Sequence, residues 1–367
     1  MLADMEDSPP YDKPPLSKDF LDPEAPLPTL VKPGELADAG IDFRPGARAT
    51  GLDVAGRIVQ FEGLAVEFDN LVIATGAAPR GVPGLDDPDL PIGVIRTAES
   101  ALAVRRAIGP YAVLAVIGGG FLGLEVAATA LRLGAEVHVV EFATQVLGRG
   151  LCPAAARMME DLHRDRGTNL HLGCSVTAAH ASKRGVELTL SNGARLDTDF
   201  VLVAVGATPA VGWLKGSSLT VSDAVDCDSG LQAAPGIFAV GDCARWVNAR
   251  YNASMRLEHW TSAGEQAAFV ARRIASGSLG KCAILPYVWS DQFGSRIQIV
   301  GLRGTTTQEI RTADGSRVFV ECDDGDVVGV AAIDAPRAVL TARRALTSRG
   351  AAPLDSVFPT DTYERTA

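Results

Sequence analysis

Gly118, Gly120 and Gly123 fall between an apolar run and a helical stretch in "AVLAVIGGGFLGLEVAATALRLGAEVHVVE" (residues 112–141), and Glu141 closes the next apolar run. Residues of these types at this spacing hold a dinucleotide. The first glycine permits a strand-to-helix turn, the second lets a pyrophosphate approach the backbone, and the third lets helix and strand pack closely. Free N–H groups at the helix start then face the phosphates. A carboxylate at the end of the second strand accepts hydrogen bonds from both ribose hydroxyls of NAD and repels the 2′-phosphate of NADP, so NADH is the expected coenzyme. Arg149 near the ribose would leave NADP open. A glycine triplet alone also marks ordinary turns; strand, glycines, helix, strand and acid in that order point to dinucleotide binding instead. On periodicity Glu125 is an acid in the first turns of a helix, where the dipole favours it.

The elements that must position these groups are legible as a βαβ unit: a buried parallel strand over Val113 to Ile117, a helix to about Leu133, and a second strand over Val137 to Val140. The chain of 367 residues is long enough for two or three domains. With 34 Lys plus Arg against 44 Asp plus Glu, its net charge of −10 excludes an overall positive field for nucleic acid or acidic lipid. Six cysteines show neither C-x-x-C nor zinc-knuckle spacing and read as thiols. No signal peptide or run of apolar residues long enough to span a membrane is present, which gives a cytoplasmic reading. Nothing in the sequence sets an oligomeric state.

Four further segments extend the pattern. "LVIATGAAPR" (71–80) is an apolar strand ending in Thr75-Gly76, "VLVAVGATPA" (201–210) repeats that design around Gly206, "GIFAVGDCA" (236–244) ends in Gly241-Asp242, and "WSDQFGSRIQIVG" (289–301) opens a last domain. Together with "PPLSKDFL" this set resembles the single-component ferredoxin reductases, FAD-dependent NADH enzymes of the glutathione-reductase fold. Such enzymes serve bacterial cytochromes P450 and Rieske-type oxygenases. The resemblance covers essentially the whole chain. It implies an α/β protein with two Rossmann-like dinucleotide-binding domains, the first incomplete at its N-terminus, plus a C-terminal α+β domain. Expected boundaries are 1–108 with 229–283 for FAD, 109–228 for NAD, and 284–367 for the last domain.

Site roles follow from the resemblance position by position. Lys18 matches the lysine beside the reactive edge of the flavin, and Glu125 the acid that pairs with it near the nicotinamide. Asp242, after Gly241, matches the aspartate on the ribityl chain, Arg96 an FAD-contacting arginine, and Ala49 an adenine-pocket position. Trp260 matches a residue whose backbone meets the flavin ring, and Trp289 the aromatic that closes the site; Thr75, Gly76, Arg80 and Gly206 complete the cofactor set. The implied chemistry is hydride transfer from NADH to FAD, the reacting atoms about 3–3.5 Å apart, then single-electron transfer to a [2Fe–2S] ferredoxin. Disulfide chemistry is excluded, because no cysteine precedes Cys152. Lys13 stands where the family carries arginine, and Ala210 where it carries asparagine.

The resemblance also implies a first βαβ unit ahead of "PPLSK", needing about thirty residues. Ten residues precede Tyr11, and none is glycine. Two expectations follow: a fragment, or a natural short form that binds FAD weakly or not at all. The alternatives to a ferredoxin reductase are therefore an NADH reductase of quinones or another acceptor, and a flavin-free NADH-binding protein.

Overall fold

The computed structural model describes residues 1–312, 315–359 and 363–365. A five-stranded parallel sheet organises the middle of the chain, in the order Asn169–Leu172, Glu136–Glu141, Val113–Ile117, Phe200–Val203, Ile92–Gly93. Val113–Ile117 lies at its centre and all five residues are buried, as an uninterrupted apolar run in a sheet covered on both faces requires. On one face the helix Phe121–Arg132 contributes Leu124, Val126, Ala127 and Ala130 to the core. On the other, an antiparallel meander of Val176–Ala181, Val186–Leu190 and Arg195–Thr198 packs Val186, Leu188 and Leu190 against Ala115, Val201 and Val203.

This sheet includes Ile92–Gly93, upstream of the boundary expected at residue 109. The helix Ala98–Ala107, started by a Thr97–Ser100 capping box, contributes Ala101 and Val104 to the same core. A two-residue strand carries no periodicity, so this edge could not be read from the sequence.

The flanking region contains a three-stranded sheet, Gln232–Ala234, Ile237–Ala239 and Leu71–Ile73, and a meander, Ala49–Asp53, Ile58–Phe61 and Leu64–Glu67. Two short strands, Ala77–Pro79 and Ala207–Pro209, pair antiparallel and lace it to the central domain. The last region is an antiparallel sheet ordered Tyr287–Gln292, Ser295–Gly301, Asp326–Ile333, Arg317–Asp323, Thr306–Thr312, Tyr363–Arg365, with Ala352–Pro353 also pairing on Asp326–Ile333. The helix Pro336–Arg349 covers it through Ala338, Val339, Ala342 and Leu346. The expected end of this domain at Ala367 lies outside the described residues.

Candidate functional site

Pro14 and Pro15 start a 3₁₀ turn over Pro14–Ser17, where their fixed φ and missing N–H are no handicap. Leu16, Phe20 and Leu21 are buried and join the core that holds Leu114, Val116 and Leu124. These anchors set Ser17 and Lys18 over the helix that follows the glycine turn. Lys18 Nζ lies 2.6 Å from Glu125 Oε2, both side chains largely buried. Burying an ion pair is costly unless the remaining acceptor sites are filled. Here Ser17 Oγ donates to Oε2 at 2.5 Å and Ser290 Oγ donates to Oε1 at 2.5 Å. Lys18 also donates to the Pro14 carbonyl at 3.1 Å. The group thus joins residues from the N-terminal turn, the central domain and the last domain.

Trp289 flanks it. Lys18 Nζ stands 5.2 Å from the centroid of its indole, and the Arg296 guanidinium stands 5.2 Å from the same centroid. Arg296 is fixed by a bidentate bond to Asp291, which holds that carboxyl below its usual range. His259 meets Trp289 edge-on at 6.0 Å and caps the helix Trp260–Ser276 through Thr261 N. Burial pushes the His259 imidazole to the neutral side of its ordinary value. Trp260, the first residue of that helix, is 39% exposed.

From the same helix, Gln266 accepts a hydrogen bond from Gly241 N at 2.7 Å and thereby holds the Gly241-Asp242 turn. Asp242 accepts no hydrogen bond among the described residues; Arg96 Nη1 is 3.6 Å away. Burial raises the Asp242 carboxyl above its ordinary value, Arg96 opposing it. A half-buried carboxylate with open acceptor sites fits a polyol chain such as the ribityl of FAD. Arg96 crosses Gly76, where a Cβ would stand 2.4 Å from its Nη2. Thr75, Arg80 and Gly206 are brought together at the lacing strands: Thr75 Oγ1 donates to Ala210 O at 2.8 Å, and Arg80 N donates to Gly206 O at 2.9 Å. The Arg80 guanidinium is exposed and bonds Thr208 at 3.2 Å. Ala49 pairs with Phe61 in the meander.

The glycine turn shows why each position is glycine. Gly118 has φ +112°, and a Cβ there would meet Ala204 O at 2.5 Å; at Gly123 it would meet Gly118 O at 2.2 Å. A Cβ on Gly120 would meet nothing within 4 Å, so this backbone faces open space. Glu141 turns inward, accepting from Gly119 N at 2.6 Å and Ala143 N at 2.8 Å. It closes one side of the glycine turn, and its remaining lone pairs suit hydroxyl donors. Exposed Arg149 approaches the position a Cβ would take on Gly206, at 3.6 Å. The donors and the open backbone fit a pyrophosphate-bearing coenzyme.

Residues 1–267 match the family described as pyridine nucleotide-disulphide oxidoreductase, and residues 287–362 match the reductase C-terminal family. The chain belongs to the pyridine nucleotide-disulphide oxidoreductases. A relative among these oxidoreductases, the ferredoxin–NAD(+) reductase component of an anthranilate 1,2-dioxygenase system from Burkholderia cepacia, is 32% identical over 352 residues, covering 94% of this chain and 86% of its own. The crystal structure of a covalent putidaredoxin reductase–putidaredoxin complex superposes with a TM-score of 0.89 at 30% identity, covering 95% of this chain and 86% of that one. A ferredoxin reductase from Rhodopseudomonas palustris gives 0.89 at 31% identity, covering 98% and 90%. Membership of these oxidoreductases implies FAD and NADH as cofactors. All six cysteines are free, and the first of them, Cys152, is buried.

Ser17, Ser290, Gln266 and His259 were not legible as site residues. Ser290 carries the one available signal: on a strand it shares a face with Gln292, opposite Trp289 and Asp291, and both are buried. Two adjacent polar positions on a core-facing side mark a buried polar cluster. For Glu141, replacement by alanine is expected to remove most of the bias against NADPH. The ratio of kcat/KM for NADH over NADPH should fall about tenfold, and an unchanged ratio would assign coenzyme choice elsewhere.

Proposed function

We propose that this chain is an NADH-dependent flavoprotein reductase that delivers electrons singly to a [2Fe–2S] ferredoxin of a P450 or Rieske-type oxygenase system. The observation that carries this reading is the Lys18–Glu125 pair, buried where three regions of the chain meet, with a serine donor from the last domain and the Trp289 ring beside it. The named relatives act in such systems. FAD, when bound, accepts a hydride from NADH and releases electrons one at a time.

The protein's part is to bind, orient and hold charge. The glycine turn and the start of Phe121–Arg132 orient the NADH pyrophosphate, with Glu141 on the ribose. Lys18 would hold a fixed cation toward the flavin, where it would favour the reduced form, and Glu125 keeps that cation from turning to solvent. Asp242 and Arg96 would hold the ribityl and phosphate portions. Trp289 and the Arg296–Asp291 pair wall the site from the last domain. Placement in the cytoplasm is part of the proposal and rests on the free thiols. Among the described residues no helix is long and apolar enough to cross a membrane.

The test is to offer the purified chain FAD, then NADH with ferricyanide or a [2Fe–2S] ferredoxin. Uptake of flavin and NADH-dependent reduction of both acceptors is the expected result. A folded chain that takes up no flavin and leaves ferricyanide oxidised overturns the proposal.

A further inference from the structure

Behind Glu125 a line of polar side chains runs through the protein interior. Ser290, which donates to Glu125 Oε1 at 2.5 Å, receives a hydrogen bond from Gln292 Nε2 at 3.0 Å. Gln292 Oε1 lies 2.9 Å from His163 Nε2, and His163 Nδ1 lies 3.1 Å from Thr168 Oγ1. Ser290 and His163 are 0% exposed, Gln292 1% and Thr168 4%. None of these residues touches the solvent edge of the site, and four buried polar side chains in series are costly unless each is satisfied.

The donors and acceptors have one consistent assignment. An amide oxygen only accepts, so His163 Nε2 carries the proton and Nδ1 accepts from the Thr168 hydroxyl. Burial holds the His163 imidazole below its ordinary range, which keeps it in this neutral form. Every donor in the series then points the same way: Thr168 to His163, His163 to Gln292, Gln292 to Ser290, Ser290 to the carboxylate. Bonds aligned in this sense polarise one another, and the last hydroxyl in the series cannot turn away from Glu125 without breaking the bond behind it.

We propose that His163, Gln292 and Ser290 are positioning residues that fix the Glu125 carboxylate against Lys18 from the side opposite the coenzyme. The proposal deepens the reductase reading and rests on it. Gln292 is the pivotal member, because its amide converts a proton donated from the central domain into one donated toward the site. It comes from the last domain, so docking of that domain and orientation of Glu125 become a single event. The Phe293 ring, edge-on to His163 at 4.8 Å, closes the apolar side of the line.

The experiment compares Gln292→Met, which keeps shape, and Ser290→Ala with Glu125→Gln and with the Gln292→Met/Glu125→Gln double variant, each in the flavin-loaded protein. Loss of the ordered donor is expected to lower kcat with NADH and ferricyanide about tenfold in each single positioning variant. The KM for NADH should stay within about twofold, because the coenzyme cradle is not touched. In the Glu125→Gln background the Gln292→Met change should alter kcat by less than about twofold. The midpoint potential of the flavin in Gln292→Met should move in the same direction as in Glu125→Gln. Multiplicative losses in the double variant, or a potential that moves in Glu125→Gln alone, overturn the proposal and reduce the line to domain packing. Urea unfolding of the flavin-free chain gives an independent arm: the Glu125→Gln and Gln292→Met losses should be less than additive in the double variant, and additive losses count against the line. A folded wild type that does not oxidise NADH defeats the reductase reading instead, and the unfolding cycle still decides this one.

Discussion

Replacing Lys18 by methionine is expected to lower the rate of flavin reduction by NADH about a hundredfold at saturating coenzyme, the size of effect seen when a pre-oriented charge donor is removed from a water-poor site. Methionine fills much of the lysine volume but leaves Glu125 with its two serine donors and no cation. The buried carboxylate is then uncompensated, which should destabilise the fold by about 3 kcal/mol. Lys18→Arg should recover part of the loss only: the charge returns, but a planar fork cannot reproduce the single contacts to Glu125 and the Pro14 carbonyl. Rapid-mixing measurement of flavin reduction, paired with thermal unfolding, separates the two consequences. A Lys18→Met protein that reduces its flavin within twofold of the wild type would remove Lys18 from the reacting group.

How much of this was readable in advance depends on the reach of each interaction along the chain. The glycine turn was legible because Val113–Ile117, Gly118, Gly120, Gly123 and Glu141 act through backbone geometry within one βαβ unit. Lys18 and Glu125 were assigned through family resemblance, and the structure sets them 2.6 Å apart. Periodicity alone gave Glu125 only a helix-dipole role. The residues that fix Glu125 were invisible, because Ser290 and Gln292 reach their partners across 165 and 129 positions of sequence. No local pattern encodes such a meeting; only the docking of one region on another makes it. The strand Ile92–Gly93 escaped for the opposite reason, being too short to show a period at all. Arg80 shows a third limit. Its place in the cofactor set comes from resemblance alone, and the contact its side chain makes, to Thr208 at the lacing strands, lies 128 positions away in sequence.

The glycine turn yields the second large effect, because its three positions separate folding from coenzyme binding. Gly123→Ala places a Cβ 2.2 Å from the Gly118 carbonyl oxygen, and backbone cannot yield as a flexible side chain would. The helix must move off the central strand, at a cost of about 1–3 kcal/mol, with NADH affinity lost along with it. Gly118→Ala combines a close approach to Ala204 O with a left-handed φ of +112°, and should be at least as damaging. Gly120→Ala is different in kind. Its backbone is extended and its Cβ would project into open space, so the unfolding midpoint should not change. That open space is where a pyrophosphate must approach, and the KM for NADH should rise at least about tenfold. Calorimetry of NADH binding beside denaturant unfolding of all three variants tests the division. If Gly120→Ala binds NADH as the wild type does, the phosphates do not lie against this turn, and the coenzyme geometry derived from it would have to be redrawn.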